Sequence, residues 1–120
     1  ILIKENHVTS AGGVANAICA ARAASPGVFL DCEVESLGEL RTAIDAGADR
    51  VLLDEFSDSA LRDAVALAAG RVPLEVSGSV NLERVRAIAE TGVDCISIGA
   101  LTKHVHAIDL SMKLGPPPGH

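Results

Sequence analysis

The feature that most constrains the fold is a repeating unit: a polar helix cap, an amphipathic helix, a glycine and a short apolar strand. The glycines that end successive predicted helices, Gly47, Gly70 and Gly92, recur at about the length of one β/α unit, roughly 20 to 25 residues. Apolar strands that alternate with helices predict a parallel sheet with both faces covered. The pattern therefore places the chain in the α/β class.

The repeat also predicts where individual elements begin. Ser36 and Glu39 have the spacing of a capping box at a helix N-terminus. Asp58 and Asn81 are the predicted caps of the next two helices, and Leu82 is expected on the inward face of the last one. An earlier helix is predicted around residues 14–24. The predicted strands are, in chain order, 1–4, 28–35, 51–53, 72–76 and 95–98.

Five strands are too few for a closed eight-stranded barrel, which typically takes about 250 residues. We therefore predict an incomplete parallel β/α barrel of the TIM type over residues 1–106, with its N-terminal part missing. In agreement, the first residue, Ile1, is not Met and already belongs to a predicted strand. A doubly wound open sheet is the alternative, and it is disfavoured because no GxGxxG sequence follows the first strand.

The end of the chain departs from the repeat. Residues 107–113 alternate apolar and polar side chains, which predicts an extended strand that leaves the barrel and pairs elsewhere. Residues 114–120 include Pro116, Pro117 and Pro118, which cannot continue a strand ladder, so we expect a flexible tail. His104, His106 and His120 have no metal-binding spacing and are interpreted as structural or solvent-exposed.

Composition narrows the possible functions. Apolar residues make up 48 % of the chain and aromatic residues only 2 %, so aliphatic side chains must fill the core. A net charge of -6 with scattered basic residues argues against nucleic-acid binding. No apolar run is long enough to span a membrane, and nothing resembles a signal peptide. The cysteines Cys19, Cys32 and Cys95 lack a CxxC spacing, which predicts buried thiols in a reducing cytoplasm.

Polar side chains concentrate at the predicted C-terminal ends of the strands, where β/α barrels carry their active sites. Lys4, Glu33 and Asp54 end the first three strands, and Lys4 is a candidate anion clamp. Asp31, Glu33 and Glu35 alternate and therefore point to the same side of their strand. A solvated strand face explains Asp31 and Glu35, whereas Glu33 is a candidate ligand for sugar hydroxyls or Mg2+.

Small residues end the two last strands and predict a phosphate site. Glycine at a strand end lets backbone N–H groups approach an anion closely, and barrels often hold a phosphate after their late strands. Lys103 lies shortly after the second of these loops. The residues of the two loops are Ser77, Gly78 and Ser79, and Ile98, Gly99 and Ala100.

Five segments, in this order and spacing, resemble the C-terminal barrel of the quinolinate phosphoribosyltransferase family (nicotinate-nucleotide pyrophosphorylase, carboxylating). They are ILIKENH, CEVES, LLDEF, EVSGSV and GVDCISIGALTKHVHAIDLSM. The resemblance implies a Mg2+-dependent homodimer that makes nicotinate mononucleotide, pyrophosphate and CO2 from quinolinate and phosphoribosyl pyrophosphate in NAD biosynthesis. It also implies that the last strand returns to an N-terminal domain. The alternatives are the molybdenum-transport-associated paralogue and a non-catalytic truncated barrel that only binds phosphate.

The resemblance assigns roles to the residues at the strand ends. It implies that Lys4 contacts the anionic substrates, that Glu33 and Asp54 hold the ribose hydroxyls, and that the two small-residue loops cradle the 5′-phosphate with help from Lys103. Two positions depart from the family pattern. Ser79 stands where Gly or Asn is common, and Glu55 stands where Asn is common. A second charge beside Asp54 would repel phosphates unless Glu55 turns away.

Overall fold

The structure is a computed structural model that describes residues 1–103 and 106–115. Within these ranges, short strands and helices alternate along the chain. They are β1 (Leu2–Ile3), α1 (Glu5–Ala11), α2 (Val14–Ala24), β2 (Asp31–Val34), α3 (Leu37–Asp45), β3 (Arg50–Asp54), α4 (Asp58–Ala68), β4 (Leu74–Ser77), α5 (Val85–Ala89), β5 (Cys95–Ile96) and α6 (Ala100–Lys103).

The five strands form one sheet in the order β1-β2-β3-β4-β5, and every neighbouring pair is parallel. A doubly wound sheet reverses its strand order at a switch point, whereas a β/α barrel adds each strand beside the previous one. The observed order is that of a barrel wall. The predicted parallel β/α architecture is therefore confirmed over the strands that the structure describes.

The two faces of the sheet differ in chemistry because side chains alternate along each strand. The face toward the helices is apolar and buried, and it carries Ile3, Cys32, Val34, Val51, Leu53, Leu74 and Val76. Helices α2 to α5 pack Ile18, Leu40, Leu61 and Ile88 against it. The opposite face, hereafter the polar face, carries Lys4, Asp31, Glu33, Arg50, Asp54, Glu75 and Ser77. The apolar core thus leaves the polar face available for a binding site.

The N-terminal cap of α3 is the predicted residue, whereas the cap of α4 lies one residue before the predicted one. The Ser36 hydroxyl accepts a hydrogen bond from the Glu39 amide at 3.2 Å, and the Glu39 carboxylate accepts one from the Glu35 amide at 2.8 Å. The cap of α4 is Ser57 rather than Asp58, since the Ser57 hydroxyl accepts from the Ala60 amide at 3.3 Å. Both Ser and Asp are good caps, so the sequence did not separate these neighbours.

The helix before β5 is shorter than predicted. Asn81 accepts a hydrogen bond from the Arg84 amide at 3.0 Å, but this closes a turn, and α5 begins only at Val85. Leu82 therefore lies outside the helix and is 76 % exposed. The prediction that Leu82 faces inward was wrong.

Helix α1 was not predicted. It follows β1 at once, and its first turn is capped by the His7 ring, whose Nδ1 accepts from the Lys4 amide at 3.1 Å. None of its residues is fully buried. The segment consequently lacks the apolar periodicity by which a helix is predicted from sequence.

The cysteines and the end of the chain also differ from expectation. Cys32 is buried, but Cys19 and Cys95 are exposed, so the prediction of three buried thiols was wrong for two of them. Residues 106–115 form neither helix nor strand and are exposed, so the strand predicted for 107–113 is not formed here. Its pairing elsewhere stays a prediction. His104, His120 and most of the predicted tail lie outside the described residues.

Candidate functional site

Lys4 and Glu33 form an ion pair at the C-terminal ends of β1 and β2. Lys4 Nζ lies 3.0 Å from Glu33 Oε2, with the lysine side chain 50 % exposed and the glutamate side chain 9 % exposed. The hydrogen bond to Glu33, and then the charge of Glu33, raise the pKa of Lys4 above its ordinary value. The pair therefore presents a lysine cation to solvent and holds the glutamate beneath it.

Asp54 lies next to this pair at the end of β3, directly beside Ser77 of β4 in the sheet register. The negative charge of Asp54 also contributes to the raised pKa of Lys4, which places the two groups within electrostatic reach. The structure thus brings Lys4, Glu33 and Asp54 to one edge of the sheet, as parallel strands require of residues at their carboxyl ends.

The two small-residue loops enclose a cavity of about 300 Å³ at the same edge. It is lined by Glu55, Gly78, Ser79, Val80, Gly99, Ala100 and Lys103. Of the predicted phosphate residues, Ser77 ends β4, and Ile98 packs its side chain against the core. Ile98 can therefore offer a ligand only its backbone groups. The other four loop residues and Lys103 meet around one cavity.

Glu55 turns into this cavity rather than away from it. Its backbone has φ 54°, a left-handed conformation that is uncommon for a residue other than glycine. Its Oε1 accepts hydrogen bonds from the amide of Ser79 at 3.2 Å and from the Ser79 hydroxyl at 3.0 Å. The sequence marked Glu55 as a charge beside Asp54 but carried no signal for the direction of its side chain.

A second polar cluster on the same face was not found from the sequence. Arg50 bridges two buried carboxylates, with Nη2 at 2.6 Å from Asp31 Oδ2 and 2.9 Å from Glu75 Oε2. The hydroxyl of Ser97 donates a hydrogen bond to Glu75. Asp31 is only 6 % exposed, so its interpretation as part of a solvated face was wrong, whereas Glu35 is exposed as expected. This cluster links β2, β3 and β4 to Ser97, the residue that follows β5.

A Mg2+ ion at this site would need ligands from a substrate in addition to those from the protein. Among the described residues, no three His, Cys, Asp or Glu side chains converge as a metal site. Mg2+ is often held by one or two carboxylates together with substrate phosphates. Glu33 and Asp54 are the carboxylates at the sheet edge that suit this role, and they could hold the ion only with a phosphate-bearing ligand.

The chain also lacks a membrane-spanning helix in the ranges that the structure describes, since none is both long and apolar enough.

Comparison with known proteins identifies relatives of this chain. The nicotinate-nucleotide pyrophosphorylase (carboxylating) of Rattus norvegicus is 40 % identical over 119 residues, covering 95 % of this chain and 40 % of its own length. The enzyme of the same name from Mycobacterium leprae is 39 % identical over 116 residues, covering 94 % of this chain and 41 % of its own. This chain therefore spans about two fifths of the length of these relatives.

A solved structure matches the fold as well. The nicotinate-nucleotide pyrophosphorylase from Francisella tularensis superposes with a TM-score of 0.86 at 52 % identity, over 92 % of this chain and 39 % of that one. Residues 1–113 match the family described as quinolinate phosphoribosyl transferase, C-terminal domain. The chain belongs to this family and corresponds to its C-terminal domain.

Proposed function

We propose that this chain is the phosphoribosyl-binding wall of a quinolinate phosphoribosyltransferase. The complete enzyme would convert quinolinate and phosphoribosyl pyrophosphate into nicotinate mononucleotide, pyrophosphate and CO2, a step of NAD biosynthesis. One observation carries the proposal: the Lys4, Glu33 and Asp54 group and the cavity between the two small-residue loops lie at the same edge of one parallel sheet. That edge offers both a sugar-binding and a phosphate-binding half.

The carboxylates suit the chemistry of the ribose. Breaking the bond between C1′ and pyrophosphate develops positive charge on the sugar ring, which nearby carboxylates stabilise if they are already in place. Glu33 is held in place by its 3.0 Å contact with Lys4, and Asp54 lies one strand further along. Lys4 remains exposed enough to contact an anionic substrate. No covalent nucleophile is required by this scheme.

The phosphate half of the site is formed by the loop residues and Lys103. The backbone of Gly78 and Gly99 has no side chain to obstruct a phosphate, and Lys103 lies at the same cavity. When bound with the pyrophosphate donor, Mg2+ would neutralise charge on the leaving group. We propose the carboxylates of Glu33 and Asp54 as the protein ligands of this Mg2+.

The remaining cations must come from beyond this chain. Both proposed substrates are polyanions, whereas the chain itself carries a net charge of -6. We propose that the rest of the enzyme and a neighbouring subunit of a homodimer supply them. A cytoplasmic location is proposed with this assignment, since the free cysteines suit a reducing compartment.

The test is an activity assay on the enzyme that contains this chain, with Mg2+, phosphoribosyl pyrophosphate and quinolinate, following nicotinate mononucleotide and CO2. Glu33→Gln should lower kcat/KM by about 10- to 100-fold, because it removes a charge-assisted contact. Glu35→Gln is the matched control, since Glu35 is exposed two residues further on and should leave turnover unchanged. Absence of turnover with quinolinate, or turnover only with other acceptors, would reject the assignment in favour of the paralogue or a non-catalytic barrel.

A further inference from the structure

The carboxylate of Glu55 lies where an anionic ligand of the loop cavity would have to bind. The Ser79 amide and hydroxyl both donate to Glu55 Oε1, at 3.2 and 3.0 Å, and both residues line the cavity. A phosphate oxygen placed in this cavity would seek the same two donors, since phosphates bind backbone N–H groups and hydroxyls. The Glu55 carboxylate thus already accepts the two hydrogen bonds from Ser79 that a phosphate ligand would use.

The contact is closely packed. A Cβ atom built on Gly78 would lie 2.9 Å from both Cδ and Oε1 of Glu55, so the Glu55 carboxyl would have to move to make room for it. The absence of a side chain at Gly78 therefore lets the Glu55 carboxyl lie directly over the loop. Glu55 also holds its left-handed backbone, with φ 54°, in this arrangement. A local cost of that kind persists where surrounding contacts determine the conformation.

From these contacts we infer that the Glu55 carboxylate competes with phosphate for the donors of the loop cavity. Glu55 thereby sets the affinity of the cavity for a phosphate ester. Glu55 occupies the Ser79 donors when the cavity is empty, and a phosphate ester binds only by displacing the carboxylate. Two anions cannot share one pair of donors without strong repulsion, so the ligand must move the Glu55 carboxylate aside. Glu55 is in this sense a specificity-determining residue, which favours ligands whose other groups bind well enough to displace it. The inference rests on the proposed phosphate site.

The alternative role for Glu55 is to position the Ser79 loop for the ligand. In that case removal of its charge would disorder the donors and weaken binding. The two roles predict opposite changes in affinity, which makes them separable by a neutral substitution.

The experiment measures binding of ribose 5-phosphate by calorimetry to the enzyme that contains this chain. Glu55→Gln keeps the shape of the side chain and removes its charge, so it should bind the ligand about 10- to 100-fold more tightly than the wild type. Glu55→Asn, neutral and shorter, should show the same gain and serves as a second variant if the first folds poorly. Glu83→Gln removes an equal charge from an exposed position outside the cavity and should bind as the wild type does.

The possible outcomes test the competitor role of Glu55 separately from the proposed phosphate site. Unchanged or weaker binding by both neutral variants, with measurable binding by the wild type, overturns the competitor role and leaves the phosphate site standing. No binding by wild type or by either variant overturns the phosphate site, and the competitor role with it. Equal gains in Glu55→Gln and Glu83→Gln would also overturn the inference, because the effect would then be one of net charge.

Discussion

Arg50 donates two hydrogen bonds, at 2.8 Å from Nε and 2.6 Å from Nη2, to the single oxygen Oδ2 of Asp31. Within the described residues, the other oxygen, Oδ1, is buried without a hydrogen-bond partner. These bonds, with the charge of Asp31, raise the pKa of Arg50 above its ordinary value. Asp31 therefore depends on Arg50 for the compensation of a charge that is only 6 % exposed.

Loss of Arg50 should therefore be costly. Arg50→Met would leave the carboxylates of Asp31 and Glu75 without their shared cation, and we expect the free energy of unfolding to fall by about 3 to 5 kcal/mol. Urea unfolding measures this. Arg86→Met is the matched control, because the Arg86–Glu90 pair is 89 % and 62 % exposed and should cost at most about 0.5 kcal/mol. Equal losses in the two variants would show that the bridge does not stabilise the fold.

Asp49 should make the stability depend on pH in the acid range. Its carboxylate accepts hydrogen bonds from Arg22 and from the Leu30 amide, both at 2.7 Å, and these lower its pKa below the ordinary value of 3.8. Since the folded pKa is the lower one, this stabilisation is complete above the unfolded pKa and is lost as pH falls through the folded pKa.

Asp49→Asn should accordingly destabilise the protein at neutral pH, and the difference from the wild type should vanish in strong acid. Chemical unfolding across the acid range gives both values. The same substitution in an Arg22→Met background should cost less, because the main partner of Asp49 is already gone. A difference that stays constant through the acid range would contradict this account.

The three cysteines should differ in reactivity. Burial, and secondarily the charge of Asp31, raise the pKa of Cys32 to about 11, so its thiolate is scarce at neutral pH. Cys19 and Cys95 are exposed. Iodoacetamide should therefore modify two cysteines of the native protein and all three after unfolding in urea, as counted by mass spectrometry and peptide mapping. If Cys32 of the native protein reacted as fast as Cys19 and Cys95, the result would be inconsistent with its burial.

Gly78 should tolerate a side chain less well than another glycine of similar backbone. Gly78→Ala meets Glu55 at 2.9 Å in addition to the strain of φ 91°, whereas Gly70→Ala, at φ 72°, meets nothing within 4 Å. We expect the Gly78 variant to lose about 1 kcal/mol more than the Gly70 variant, because its Cβ would push the Glu55 carboxyl off its hydrogen bonds with Ser79. In a Glu55→Ala background the excess should shrink. Thermal or urea unfolding of the four variants tests this, and equal costs at both glycines would refute the close contact.

Much of the fold followed from local patterns in the sequence. The glycine-spaced repeat predicted the parallel sheet, and the Ser36 and Glu39 spacing predicted a helix start that the structure contains. Helix α1 escaped prediction because its residues bury too little to create a periodic signal. Ser57 and Asp58 could not be separated because both residue types cap helices equally well.

The sequence predicted which residues gather at the ends of the strands. It did not predict contacts that depend on the direction of a side chain or on the register between two strands. Lys4, Glu33 and Asp54 gather because parallel strands bring their carboxyl ends together. The contact of Glu55 with Ser79 occurs together with a left-handed backbone at Glu55, and a glutamate in the sequence gives no signal for that conformation. The Arg50–Asp31 bond joins residues on different strands, and only the observed register places them side by side.

The opposite chemistry of the two sheet faces limits how the length of this chain can change. Loss of one residue from the middle of β3 would exchange the faces for the rest of that strand. Leu53 would then turn toward water and Asp54 toward the helices, so one deletion would both open the core and remove a carboxylate from the site. A library of single-residue deletions should therefore retain folded members mainly in the turns, and strand length should be as constrained as any side chain of the site.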